Sequence, residues 1–223
     1  MATVLITGST GMVGKGVLLE CLEDDRIDKV ILVNRSPIDV QDNKIEEILL
    51  QDFLQFKSIA DQLSKIDACF HCMGVSSVGM EEDTYHKLTF GITKEIADVC
   101  YDNNPAMTFN YVSGQGTDSS ESGRIMWTRV KGKTENYILD KGFSQSFMFR
   151  PGIIIPEKGI RSSTKLYDRL YQIMRPIFPL LKRLKSVVTT SLLGQAMLET
   201  HFNKNLEDVY LTNKDMNQLI NKK

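Results

Sequence analysis

The sequence contains no apolar run near the roughly 20 residues needed to cross a bilayer, so a membrane-spanning helix is not expected. It also lacks an excess of either charge: 27 Lys and Arg stand against 28 Asp and Glu, a formal net charge of −1. That balance argues against a global electrostatic field for nucleic acid or an anionic membrane. The opening MATVLITGS goes straight into a strand pattern, without a basic segment leading into an apolar core, and a secretory leader is not expected. Cysteine is sparse, at four residues. Cys69 and Cys72 have the spacing of a redox or zinc pair. In DACFHCMG, however, they fall at the end of a predicted strand, where residues three apart point to opposite faces. No second pair completes a zinc site. The expectation is therefore no metal, reduced structural thiols and a cytoplasmic location. Internal repeats and low-complexity tracts are also absent.

What the chain does contain is a regular alternation of short apolar runs and amphipathic helical patterns. TVLIT, KVILVN, KIEEILL, DACFHC, MTFNYVS and SQSFMFR read as strands. Helical periodicity follows Gly11, extends from Glu81 to Tyr101 and again from Arg124 to Leu139, and Lys141-Gly142 reads as a helix stop. Strands rich in Val, Ile and Leu between helices signal a parallel sheet covered on both faces. Right-handed crossovers then favour a doubly wound Rossmann-type α/β sheet. After Arg150-Pro151-Gly152 the rhythm changes. Pro156, Pro176 and Pro179 punctuate a mostly helical segment with one late strand, DVYLT. The 223 residues are thus expected to form a single domain, with 152–223 mostly a small C-terminal helical cap on the substrate side.

The chemistry-bearing motif is Thr7-Gly8-Ser9-Thr10-Gly11-Met12-Val13-Gly14, between a strand and an amphipathic helix. Gly8 permits a tight turn, Gly11 lets the backbone approach a pyrophosphate, and Gly14 allows close helix–sheet packing. The helix start offers free N–H groups and a positive dipole end to phosphates. The end of the second strand bears on which dinucleotide is held. An acidic residue there suits the ribose hydroxyls of NAD, whereas cationic groups suit a 2′-phosphate. This chain has Asn34-Arg35-Ser36, with no carboxylate, so NADP(H) is favoured over NAD(H), with Asn34 and Arg35 as candidate contacts.

With TGSTGMVG, HCMG after the fourth strand, YVSG after the next and a downstream Lys131, the chain resembles the short-chain dehydrogenase/reductase superfamily. More narrowly, it is similar to atypical, NAD-dependent epimerase/dehydratase-like members. The resemblance runs over nearly the whole chain and is specific through about Pro156. It implies that Gly8, Ser9, Thr10, Gly11, Met12 and Val13 contact the pyrophosphate and that Asp52 and Phe53 border the adenine. It places Cys72, Met73 and Gly74 beside the ribose. Ser113 would face the reacting carbonyl, Lys131 would hold the nicotinamide ribose, and Pro151, Gly152 and Ile153 would line the nicotinamide. One departure stands out. The family's proton-transferring pair is Tyr-x-x-x-Lys, and here the segment is Trp127-Thr128-Arg129-Val130-Lys131. An indole cannot deliver a proton at neutral pH. Trp127 would instead offer a flat apolar wall to substrate or nicotinamide. Tyr111, on the face of Ser113, and Tyr85 and His86 are candidate substitutes.

Between Arg161 and Lys185, seven basic residues face Asp168 alone, interleaved with apolar ones. This stretch reads as a cap helix over the substrate cleft or, alternatively, as an amphipathic surface for weak peripheral contact with an anionic membrane. Two functions stay open. One is an NADP(H)-dependent oxidoreductase or epimerase on a small carbonyl or hydroxyl substrate, using Ser113, Lys131 and Trp127. The other is a catalytically silent dinucleotide-binding redox sensor or interaction protein. A monomer or a homodimer is expected, and no nucleic-acid partner.

Overall fold

The computed structural model describes residues 1–160, 178–181, 184 and 186–221. Its centre is a seven-stranded sheet in the order β3-β2-β1-β4-β5-β6-β9, with every neighbouring pair parallel. The strands are β1 (Ala2–Thr7), β2 (Ile27–Asn34), β3 (Ile45–Leu49), β4 (Ala68–His71), β5 (Thr108–Val112), β6 (Gln145–Arg150) and β9 (Tyr210–Thr212). A separate parallel pair joins β7 (Ile153–Ile155) to β8 (Val187–Thr189). The helices are α1 (Met12–Glu23), α2 (Glu82–His86), α3 (Ile92–Asn103), α4 (Met126–Asp140), α5 (Phe178–Leu181), α6 (Thr190–Phe202) and α7 (Asn213–Asn221). A 3₁₀ helix spans Phe53–Gln62, and a π-helical turn at Lys87–Gly91 links α2 to α3. This is the doubly wound Rossmann arrangement expected from the alternating pattern.

The continuous apolar strands divide by parity, because successive side chains leave a strand on opposite faces. Val4, Ile6, Val30 and Leu32 enter one core with α1 and α6, whereas Leu5, Ile31 and Val33 enter the other with α3 and the 3₁₀ helix. Both cores are closed to water, and each fully buried aliphatic side chain contributes about 1.5–3 kcal/mol relative to exposure. Cys69 belongs to the second core, while Cys72 packs against the first, as strand periodicity requires. All four cysteines are free thiols. Gly142, with φ +90°, follows the end of α4 where the sequence placed a stop.

Among its described residues the C-terminal region carries three strands, β7, β8 and β9, rather than the one expected, because the short apolar runs III and VVT pair only with each other. It also does more than cap an edge. Of residues 152–223, β9 extends the main sheet beside β6, and α6 lies along α1 within the first core. The α1–α6 contact is close because a Cβ on Gly16 would stand 2.7 Å from Thr190 Cβ, and one on Gly194 would stand 3.1 Å from Val17 Cα. Residues 161–177, 182–183 and 185, which carry most of the basic stretch, lie outside the described residues. No helix among the described residues is long and apolar enough to cross a membrane.

Candidate functional site

The strand order reverses between β1 and β4, and the glycine turn occupies the carboxyl end of β1 at that switch point. Gly8 adopts φ +78°, and a Cβ there would lie 2.9 Å from the backbone of Cys72 and Met73. Only glycine fits both the left-handed conformation and that approach. Gly11 N–H donates to Gly8 O at 3.0 Å, closing the turn. A Cβ on Gly14 would stand 2.2 Å from Gly8 O, so the helix can meet the turn only at a glycine. Gly11 differs: its nearest neighbour would be Gly8 O at 3.3 Å. Beyond it, α1 begins at Met12 and Val13 with no side-chain cap and no acidic residue in the first turn. That leaves the positive end of the helix for an anion. Ser9 is buried and Thr10 exposed.

Around this turn the other candidates fall as follows. Ser9 Oγ donates to Asn34 Oδ1 at 2.8 Å, and Asn34 Nδ2 donates to Glu47 Oε1 at 2.8 Å. Asn34 is thus spent on bracing the turn to β2 and β3. Glu47, which the sequence reading passed over, reaches the end of β2 from the neighbouring strand. Arg35 is exposed, and its backbone carbonyl accepts from Gln51 Nε2 at 2.7 Å. A pocket of about 150 Å³ beside the turn is lined by Ser9, Thr10, Lys15 and residues 37–40. Asp52 is exposed and caps the 3₁₀ helix by accepting from Leu54 N. The Phe53 ring is buried and stacks on Phe56, so its side chain serves the core. Cys72 and Met73 are partly buried beside Gly8, and Gly74 has open space where a Cβ would be.

A second group gathers at the end of β5 and on α4. Ser113 Oγ lies 2.5 Å from Glu135 Oε1 and 3.1 Å from Phe149 O, both acceptors. Glu135 is fully buried and pairs with Arg150 through both of its oxygens. Arg150 also donates to Ser119 Oγ at 2.5 Å and lies 4.2 Å over the Tyr210 ring. Lys131 Nζ donates to the backbone carbonyl of Ser113 at 2.5 Å and lies 5.9 Å over the Tyr111 ring. Burial lowers the Lys131 pKa to about 8, with the Glu135 charge opposing that shift. The Trp127 ring lies 3.8 Å from where a Cβ on Gly114 would sit, and 3.7 Å from one on Gly116. Its indole therefore covers the loop that follows Ser113.

The proposed substitutes for the missing phenol are less accessible. Tyr111 and Tyr85 are each 1% exposed, and Tyr111 stacks on buried His71 at 5.5 Å. His86 packs its ring on Phe90. Pro151 is buried, with its carbonyl accepting from Gln115 N. Gly152 N–H donates to Asn213 Oδ1, and Ile153 is exposed at the start of β7. The Glu135–Arg150 pair escaped sequence reasoning, although Glu135 lies four residues after Lys131 and so shares its helix face.

Comparison with known proteins fits this geometry. "Protein FMP52, mitochondrial" of Debaryomyces hansenii is 28% identical over 174 residues, covering 76% of this chain and 74% of that protein. Across three fungal and rat relatives, the match covers between 64% and 74% of their lengths. Two solved structures share the fold. The Bordetella bronchiseptica enzyme WbmH in complex with NAD+ has a TM-score of 0.69 at 13% identity, covering 95% of this chain and 75% of that one. A short chain dehydrogenase family protein from Francisella tularensis has a TM-score of 0.64 at 16% identity, covering 98% and 100%. The relatives correct the expected cytoplasmic location, since the fungal proteins are named mitochondrial. Reduced cysteines and the absence of a secretory pattern do not distinguish cytosol from mitochondrion. The model of the NAD dependent epimerase/dehydratase family matches residues 4–123, more than half of the chain, and with the glycine turn at the sheet's switch point this protein belongs to that family.

Proposed function

We propose that this chain binds NADP(H) and acts as an oxidoreductase or epimerase on a small carbonyl or hydroxyl substrate. The glycine turn carries the reading. Gly8 and Gly14 are sterically obligatory for its shape, whereas Gly11 and the uncapped start of α1 face outward, where a pyrophosphate would lie. Ser9 through Val13 would hold the phosphates, and Cys72 to Gly74 the ribose side. Lys131 would turn from the Ser113 carbonyl to the nicotinamide ribose, with Pro151 to Ile153 and Trp127 walling the ring. When bound, the cofactor supplies hydride transfer. The preference for NADP(H) rests on Arg35, exposed beside the turn, and on the absence of a carboxylate at the end of β2 itself. Glu47 works against it, but that carboxylate is engaged by Asn34.

A silent sensor is the second reading, and a specific observation favours it: the site has an indole where its family places a phenol, and Ser113 has no proton to spare. The relatives' names support a mitochondrial location, testable by fractionation. Titration with NADPH and NADH, followed by nicotinamide fluorescence, tests the binding step. Dissociation constants above the millimolar range for both would end the cofactor reading. Tighter NADH binding, or no loss on Arg35→Ala, would end the NADP preference.

A further inference from the structure

A cavity of about 400 Å³ opens at the carboxyl ends of β6 and β9, lined by Gln115, Arg150, Gly152, Ser186, Asn213 and Lys214 among others. Its wall is built rather than incidental. Buried Asn213 accepts from Gly152 N at 3.0 Å and donates to the carbonyls of Ile153 and Ser186 at 3.1 and 2.6 Å. One side chain thereby ties the β6 exit, the approach to β8 and the start of α7 into a single rim.

The charged side chains that line this rim, Arg150 and Lys214, are both cationic. Lys214 is exposed and makes no hydrogen bond or ion pair with a described residue. Arg150 spends Nε and Nη2 on Glu135 and Ser119, which leaves Nη1 without a partner among the described residues. The nearby carboxylates do not line the cavity. Asp215 accepts from the backbone and hydroxyl of Thr212, at 2.9 and 2.6 Å, and Glu135 is neutralised by Arg150. A pocket with two cationic donors, an amide and no lining carboxylate is complementary to an anion.

Its position connects it to the reaction edge. Gln115 lies between Gly114 and Gly116, the two glycines covered by the Trp127 ring, and its N–H is held by Pro151 O at 2.9 Å. The loop that borders the cavity through Gln115 is therefore the same one that the indole covers through Gly114 and Gly116. We propose that this cavity seats the anionic group, carboxylate or phosphate, of the substrate, with Lys214 and the Nη1 edge of Arg150 as its cationic contacts. The proposal rests on the reading that this edge is a substrate site. It specifies a substrate with an acidic group, a hydroxy or oxo acid or a phosphate ester.

Trp127 is the sole tryptophan of the chain and reports on this loop. With NADP+ present in excess to fill the glycine turn, the full-length protein is titrated with inorganic phosphate and, separately, with succinate. A saturable change in Trp127 fluorescence is expected, weakened about tenfold or more by Lys214→Ala, as for loss of one charge-assisted hydrogen bond. Lys65→Ala, at an exposed site before β4, should leave it unchanged. Stronger binding of phosphate assigns a phosphate ester, and stronger binding of succinate an acid. Equal binding by wild type and Lys214→Ala, or no saturable change with either anion, would overturn the proposal. NADPH binding, read by its own fluorescence, separates the two claims. If NADPH binds while the anions do not, only the cavity falls. If a Lys214-dependent anion signal persists without NADPH binding, the cofactor reading falls.

Discussion

The Ser113 hydroxyl is held between two acceptors, Glu135 Oε1 at 2.5 Å and Phe149 O at 3.1 Å. Its single proton is therefore committed to the protein, and only its lone pairs remain for a ligand. A serine in that state accepts a hydrogen bond from a substrate hydroxyl more readily than it polarises a carbonyl. The same carboxylate holds Arg150, so the orientation of Ser113 and the anion-facing edge of the guanidinium depend on one buried charge.

Glu135→Gln should lower stability by about 3 kcal/mol, because it leaves the Arg150 charge without its partner in a largely buried site. Urea unfolding measures the loss. The double variant Glu135→Gln/Arg150→Met should recover most of it, since the cost lies in the unpaired charge. Additive losses in the double variant would contradict this account.

Gly14→Ala and Gly11→Ala should behave differently. At Gly14 the methyl would stand 2.2 Å from Gly8 O, and the backbone must move, costing about 1–3 kcal/mol together with cofactor binding. At Gly11 the methyl would be tight by only a few tenths of an ångström against Gly8 O at 3.3 Å, so thermal stability should fall less than at Gly14 while NADPH affinity falls. Melting curves paired with NADPH titration would show the split. Equal melting temperatures for the two variants would refute it.

Buried His71 should make the fold acid-sensitive. Thr93 Oγ1 donates to Thr89 O, so it must accept from His71 Nε2–H, which leaves Nδ1 to accept from Thr7 Oγ1. Burial, with Lys131 adding to it, lowers the His71 pKa from 6.5 to about 3. The unfolded chain therefore binds a proton that the folded chain refuses. The contribution is fully present above about pH 6.5 and is lost as pH falls toward 3, at up to about 1.4 kcal/mol per pH unit. Unfolding of wild type and His71→Asn across that range should show a steeper decline in wild type.

Trp127→Tyr should create or raise NADPH-dependent carbonyl reduction, by about 10²–10⁴-fold if a phenol at this position transfers the proton. The readout is NADPH oxidation over a panel of small aldehydes and oxo acids. A variant that binds NADPH with the wild-type affinity yet stays silent over that panel would count against both the reductase reading and the assignment of Trp127 to the reaction centre.

Much of the sheet was readable locally. The pattern of KVILVN or MTFNYVS reports a buried parallel strand because both faces are covered, and the glycine spacing at residues 8, 11 and 14 reports a turn whose geometry is set within eight residues. The function of the C-terminal region was not readable in this way. The packing of α6 on α1 depends on Gly16 meeting Thr190 and Gly194 meeting Val17, contacts between segments with no shared periodicity. DVYLT reads as a strand, but nothing in it says that it will pair with β6.

Sequence alone determined the order of elements through β6, the dinucleotide turn and the replacement of tyrosine by Trp127, since each is a property of neighbouring residues and of backbone sterics. Only tertiary structure decided what the polar groups do. It set Asn34 between Ser9 and Glu47, turned the Ser113 hydroxyl toward Glu135, and gathered Gln115, Arg150 and Lys214 around one cavity. The physical reason is that a buried polar group must find a partner wherever the fold brings one, and those partners here come from separate strands and helices.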